Sequence, residues 1–228
     1  MNDKGGNRLA NHIVAYVGYE CFDIILYLSR ILQKLERKVL VVDYSKTGVL
    51  ASSVGQIKGV DHENGIISYR GIDYTSMMID EMIVGLYDDI LINCGFTEPN
   101  FNLSWITKTV FVTNMFKYNL ERLNALRNYD ELMIEKVLLI KDAIDVKISP
   151  EIILGILEKS VPKSEISVLY RNDRDYENSL ICHYNQVFRL RGITRMLKLY
   201  LLQEIMGFCT DITGKQIKKA FHKASRGD

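Results

Sequence analysis

The residues best placed to do chemistry stand where the first apolar run of the chain ends, in the turn Gly18-Tyr19-Glu20-Cys21-Phe22-Asp23. A strand-to-helix turn binds phosphate when glycines let backbone N–H groups cradle the oxygens. A lysine must also reach the β- and γ-phosphates, and a serine or threonine must hold magnesium. This turn has one glycine, no lysine and no hydroxyl at the helix start, and it carries two acids. Carboxylates repel a polyphosphate, most strongly in a partly buried turn, so the sequence predicts no working phosphate loop. Cys21 invites a second chemistry, because a helix N-terminus lowers a thiol pKa. Glu20 and Asp23 oppose that effect and no histidine is near in sequence, so a structural cysteine is expected. Asp43 ends an apolar run and is expected to cap a nearby turn. The four histidines show no metal or triad spacing, and Cys21, Cys94, Cys182 and Cys209 stand far apart with no CxxC pair. Buried, inert thiols and no cofactor follow.

The elements that must position these residues alternate along the chain. Residues 12–18 form the first β-branched run. A helix follows from Phe22 to about Leu35, with apolar residues at 24, 25, 28, 31, 32 and 35, the spacing of a core-facing helix. Lys38–Asp43, Asp88–Gly95, Lys108–Asn114, Lys136–Lys141 and Glu165–Tyr170 read as further strands. Continuous apolar runs mean strands covered on both faces, hence a parallel sheet. The section 45–80 is the least legible, with a short strand near Gly65–Tyr69 and a helix from Thr75 into Leu86 expected. Further helices are expected after Asn114, behind Ser149-Pro150, and from Gln186 to Met206. The predicted fold class is α/β, a doubly wound, mostly parallel sheet of about six to eight strands with helices on both faces. It divides into a polar N-terminal arm, 1–11, an α/β domain, 12–212, and a basic amphipathic tail, 213–228.

The order of these segments resembles the MinD/ParA family of deviant-Walker P-loop ATPases. The family pattern is a strand, KGGxGK[ST][ST], a helix, and a second strand of the form kVLliDxD. Residues 27–43, YLSRILQKLERKVLVVD, are similar to that helix and second strand. Counting back from Asp43 without gaps, the Walker lysine position falls on Cys21 and the magnesium Ser/Thr on Phe22. The signature lysine falls on Tyr16, and a motif glycine falls near Gly18. Residues 87–95, YDDILINCG, resemble the Walker B strand, with Asn93 where the acid should be. Leu169-Tyr170-Arg171-Asn172-Asp173 resembles the base-contacting segment without its proline. The resemblance spans roughly residues 12–206 and looks closest to the TadZ-like and FlhG-like accessory members, which position secretion, pilus or flagellar machinery. Each departure removes a catalytic part. The resemblance therefore implies the fold, protein partners and a non-catalytic scaffold or spatial adaptor, with a homodimer contact at Tyr19 and Phe22. Lys4-Gly5-Gly6 precedes the first strand and is read as coincidence.

Composition bounds the rest. A chain of 228 residues, 47% hydrophobic and 25% charged, can bury a core without disulfides or metal. The net charge of +1 hides an asymmetry, since residues 189–228 carry nine Lys/Arg against three Asp/Glu. Thr213-Gly214-Lys215-Gln216 fits a capping box, after which Ile217, Ala220, Phe221 and Ala224 form a narrow apolar stripe. Lys218, Lys219 and Lys223 flank it. Two readings stay open: a membrane-surface or partner-docking helix using Ile217, Lys218, Lys219, Phe221 and Lys223, or a helix packed on its own domain. Near-zero total charge argues against nucleic acid, and the helix carrying Arg189, Arg191, Arg195 and Lys198 reads as core with a solvated basic face. The polar N-terminus lacks a signal-peptide core and the apolar runs are too short to span a bilayer. The expected place is the cytoplasm, with at most a peripheral contact at the inner face of the membrane. Two other functions remain open on sequence: an NTPase with an unorthodox site, and a DNA- or membrane-binding module run by the basic C-terminal segment.

Overall fold

The computed structural model describes residues 12–54, 65–98, 101–130, 132, 134–209 and 212–226, so the expected arm 1–11 lies outside the described residues. Each continuous apolar run is a strand: β1 (His12–Gly18), β2 (Val39–Asp43), β5 (Asp89–Gly95), β6 (Lys108–Thr113), β7 (Glu135–Ala143) and β8 (Ile166–Tyr170). With β3 (Ile67–Tyr69) and β4 (Ile72–Thr75) they make an eight-stranded sheet in the order β3-β4-β2-β5-β1-β6-β7-β8. Every neighbouring pair is parallel except the β3–β4 hairpin.

Alternation along β1 splits the core into two layers. Val14 and Tyr16 join one layer with α1 (Phe22–Lys34), α7 (Arg195–Phe208) and α8 (Gly214–Ser225). Ile13, Ala15 and Val17 join the other, with α3 (Glu81–Val84), α4 (Lys117–Ala125) and α5 (Pro150–Ile156). The sheet is thus covered on both faces, as the unbroken apolar strands require. β1 passes the chain to β2 on one side and β5 passes it to β6 on the other. The strand order reverses there, and the carboxyl ends of β1 and β5 flank the reversal.

Two expectations change. The helix expected from Thr75 into Leu86 is only α3, because Ile72–Thr75 pairs with β2 as a strand and Asp80 caps the helix through the Ile83 N–H. Of the helix expected from Gln186 to Met206 only residues 195–206 are helical, within α7. An unanticipated α6 (Asp173–Asn185) ends where Gln186 takes a left-handed conformation, φ 51°, and α7 begins only after Thr194 accepts from the Leu197 N–H. Of the two readings left open for the tail, the structure shows the helix packed on its own domain. The capping box forms as expected, yet Ile217 and Phe221 are 2% and 9% exposed, packed with Ala220 and Ala224 in the α1–α7 layer. Burying two such side chains stabilises by about 1.5–3 kcal/mol each, so the stripe belongs to the domain rather than to a lipid or partner. Lys218, Lys219 and Lys223 remain exposed on the outer face.

Candidate functional site

The turn from β1 to α1 is three residues long and pinned from behind. Gly18 sits at φ 116°, and a Cβ there would stand 2.2 Å from the Val112 carbonyl oxygen. The next N–H, that of Tyr19, donates to that same oxygen at 2.7 Å. The amide that follows the turn's one glycine is thus committed to β6. Cys21, the first residue before α1, is buried, and burial followed by the nearby Asp23 pushes its thiol well up from its ordinary pKa. It is a packing residue. Cys94, Cys182 and Cys209 are buried as well, and none of the four forms a disulfide.

The positive end of α1 carries its own anion. Asp23 lies in the first turn, where a carboxylate meets the helix dipole. Lys141, at the end of β7, comes within 3.4 Å of Asp23 and 3.7 Å of Asp142. Burial works against the Lys141 charge, but Asp23 and then Asp142 outweigh it and raise the ammonium pKa. Phe22 turns away and stands edge-on to His183, ring centroids 5.7 Å apart. Tyr19 and Phe22, expected as a self-contact, are both half-buried against the domain's own core.

The crevice between the ends of β2, β5 and β1 is strung with hydrogen bonds. Asp43 accepts at Oδ1 from Asn93 Nδ2 (3.2 Å), the Ser45 N–H (3.1 Å) and Ser45 Oγ (2.6 Å), and at Oδ2 from the Leu50 N–H (3.0 Å). The last bond caps α2 (Val49–Ser53), the role expected of Asp43. From Ser45 Oγ the chain runs 2.9 Å to Thr47 Oγ1, then 2.7 Å to Glu20 Oε1. With Ser45 donating to Asp43 and Thr47 to Glu20, the Ser45–Thr47 contact lacks a proton. Protonating Glu20 supplies it by letting the carboxyl donate to Thr47 and Thr47 to Ser45. Burial raises the Glu20 pKa; the Thr47 bond pulls the other way and the Asp43 charge adds to the rise.

Sequence reasoning brought Gly18, Glu20, Cys21, Phe22, Asp43 and Asn93 to one edge of the sheet, and the structure gathers them there. It missed Ser45, Thr47, Lys141 and Asp142. The available signal was positional, since residues just past the C-terminal ends of β2 and β7 must reach the same edge as the β1 turn. The remaining hollow, 230 Å³, is lined by Glu20, Ser45, Thr47 and Thr97, with Lys46 and Arg122 at its exposed rim. To this lining the β1–α1 turn contributes the Glu20 carboxylate and no cation, and both cations stand at the rim. Among the described residues no three His, Cys, Asp or Glu side chains group to hold a metal ion. Among them, too, no helix is long and apolar enough to cross a membrane.

The fold is that of the MinD and ParA ATPases. The cell-division ATPase MinD of Pyrococcus furiosus superposes with a TM-score of 0.58 at 14% identity, covering 92% of this chain and 99% of that one. A plasmid partition protein of Borrelia burgdorferi, solved bound to AMPPNP, gives 0.56 at 15% identity, covering 93% and 98%. A ParA family ATPase from Chlorobium tepidum gives 0.54 at 12% identity, covering 97% and 99%. No family model matches the sequence, and no curated protein matches it significantly. At such identities the likeness is one of fold, and the site must be read from its own residues.

Proposed function

We propose that this chain is a non-catalytic, MinD/ParA-like adaptor that acts through protein partners. Its work would be to position or assemble a membrane-associated machine such as a secretion, pilus or flagellar system. The observation that carries the reading is the hydrogen-bonded chain Asn93–Asp43–Ser45–Thr47–Glu20. Internal partners occupy the crevice in which this fold's nucleotide-binding relatives would need cations and free N–H groups. The Asp23–Lys141 pair does the same for the start of α1. A nucleotide would have to break these bonds and pay the repulsion of Glu20 and Asp23.

A ligand that binds only the folded state raises its melting temperature by mass action. Melting the protein with and without saturating ATP·Mg should give the same midpoint; a rise of several degrees would overturn the reading and favour an NTPase using the rim cations Lys46 and Arg122. The exposed Lys218, Lys219 and Lys223 allow a membrane contact that is electrostatic only, since Ile217 and Phe221 are committed to the core. Co-sedimentation with anionic vesicles should then be weak and lost at high salt. Binding that survives high salt would mean that α8 leaves the domain to insert.

A further inference from the structure

Helix α6 is built inside out. Its inward face carries Asp175, Asn178, Ser179 and Cys182, at the i, i+3, i+4, i+7 spacing normally given to core leucines. Asp175 accepts from the Thr194 N–H and Oγ at 2.6 Å each, and Asn178 Nδ2 donates to Tyr27 OH and the Arg189 carbonyl at 2.8 Å each. The outward face presents Tyr176, Leu180, Ile181 and Tyr184, all exposed, Tyr184 by 82%. Polar bonds fix the helix in place while its apolar face goes uncovered.

That face continues into a groove. Tyr176 walls a hollow of 540 Å³ together with Phe116, Ile144, Val146 and Ile148, all of them exposed. A second hollow of 220 Å³, between β7, β8 and the starts of α1 and α7, shares Tyr19, Asp142 and Tyr176 with the first. Exposed apolar side chains gathered along two adjoining hollows mark an interaction site rather than scattered exposure. Its charge says what fits. The linings hold Glu20, Asp23, Asp142 and Asp175 against Lys141 and Arg171, and Lys141 is engaged by Asp23 and Asp142. The excess is acidic. A second copy of this chain would set those carboxylates against themselves, and an anionic lipid or nucleic acid would be repelled.

We propose that this groove docks an amphipathic segment of a partner protein, bearing an apolar stripe and a lysine or arginine beside it that pairs with Asp142. Asp142 is the acid shared by both hollows, with a side chain 36% exposed. The proposal supplies the partner class that the adaptor reading needs and rests on that reading for its purpose. Its test uses different atoms: binding of ATP·Mg would sink the adaptor reading and leave the groove's selectivity standing.

The probes are two fluorescent, designed helical peptides with the same leucine stripe, flanked in one by lysines and in the other by glutamates, titrated with the full chain. The lysine peptide should bind at least about ten-fold tighter. Asp142→Asn, an exchange the left-handed backbone there tolerates (φ 56°), should erase most of that preference. Ile148→Asp should weaken both peptides at least about ten-fold with circular dichroism unchanged. Should that variant fail to fold, Val146→Asp takes its place. Equal binding of the two peptides, or affinity indifferent to the groove substitutions, overturns the proposal. So does a dimer in sedimentation that Ile148→Asp disperses, which would give the groove to a second copy.

Discussion

Two stretches of the same sheet edge have opposite surfaces. Between β2, β5 and β1 the crevice is polar and bonded largely to itself, with Asp43 accepting four hydrogen bonds from its own neighbourhood. A few strands away, past the ends of β6, β7 and β8, the surface is apolar and open, from Phe116 (72% exposed) to Tyr184. In an open α/β sheet the carboxyl edge is where ligands bind, since loops of independent sequence converge there on a rigid frame. Here the part of that edge at the reversal of strand order is crossed by internal hydrogen bonds. The part beside it keeps the uncovered apolar area that binding requires. The fold thus matches that of the MinD and ParA structures, while the uncovered apolar surface lies beside the strand reversal rather than at it.

Substitutions should separate the two stretches by what they cost. The largest effect belongs to Gly18→Ala. The new Cβ meets backbone, which cannot swing away, so we expect a loss of about 4 kcal/mol in urea unfolding. Asp43→Ala strips the crevice of its shared acceptor and α2 of its cap, for about 3 kcal/mol by the same measurement. A cost below about 1 kcal/mol would mean that the crevice is not held by these bonds. Glu20→Gln should cost little and change the pH dependence instead. Because burial raises the Glu20 pKa above its ordinary 4.5, the folded chain holds that proton more tightly than the unfolded one. Its contribution is therefore complete below the unfolded value and fades as pH rises through the folded one. Glutamine keeps a donor toward Thr47 at every pH. The variant should melt with the wild type in acid and above it at pH 8, and parallel curves would contradict the protonated link. Smallest of all, Ile148→Asp should shift stability by less than about 0.5 kcal/mol, since the side chain packs into nothing the domain needs. A large loss there would collapse the distinction between the two stretches.

How much of this was legible in the sequence follows from where each signal resides. β1, β2 and β5 to β8 announce themselves because unbroken Val/Ile/Leu runs have few other uses. β4 hides because Ile72-Asp73-Tyr74-Thr75 alternates and is only four residues long. α6 hides because its inward face is Asp175, Asn178, Ser179 and Cys182, so no apolar stripe marks a core-facing helix there. The stripe of α8 was plain in Ile217 and Phe221, but its partner, α1, is almost two hundred residues earlier, and no local pattern names it. In the crevice, the unsuitability of the Gly18–Asp23 turn for phosphate is a matter of residue types. The bonds that close it join Glu20 to Thr47 and Asn93 to Asp43 across 27 and 50 residues. Lys141 finds Asp23 at greater separation still.

The proposed adaptor role requires a crevice that nucleotide does not enter, and the sharpest check is calorimetric titration of this chain with ATP·Mg. No saturable heat is expected at millimolar nucleotide. A one-to-one isotherm with a micromolar dissociation constant, weakened by Lys46→Ala or Arg122→Ala, would contradict it.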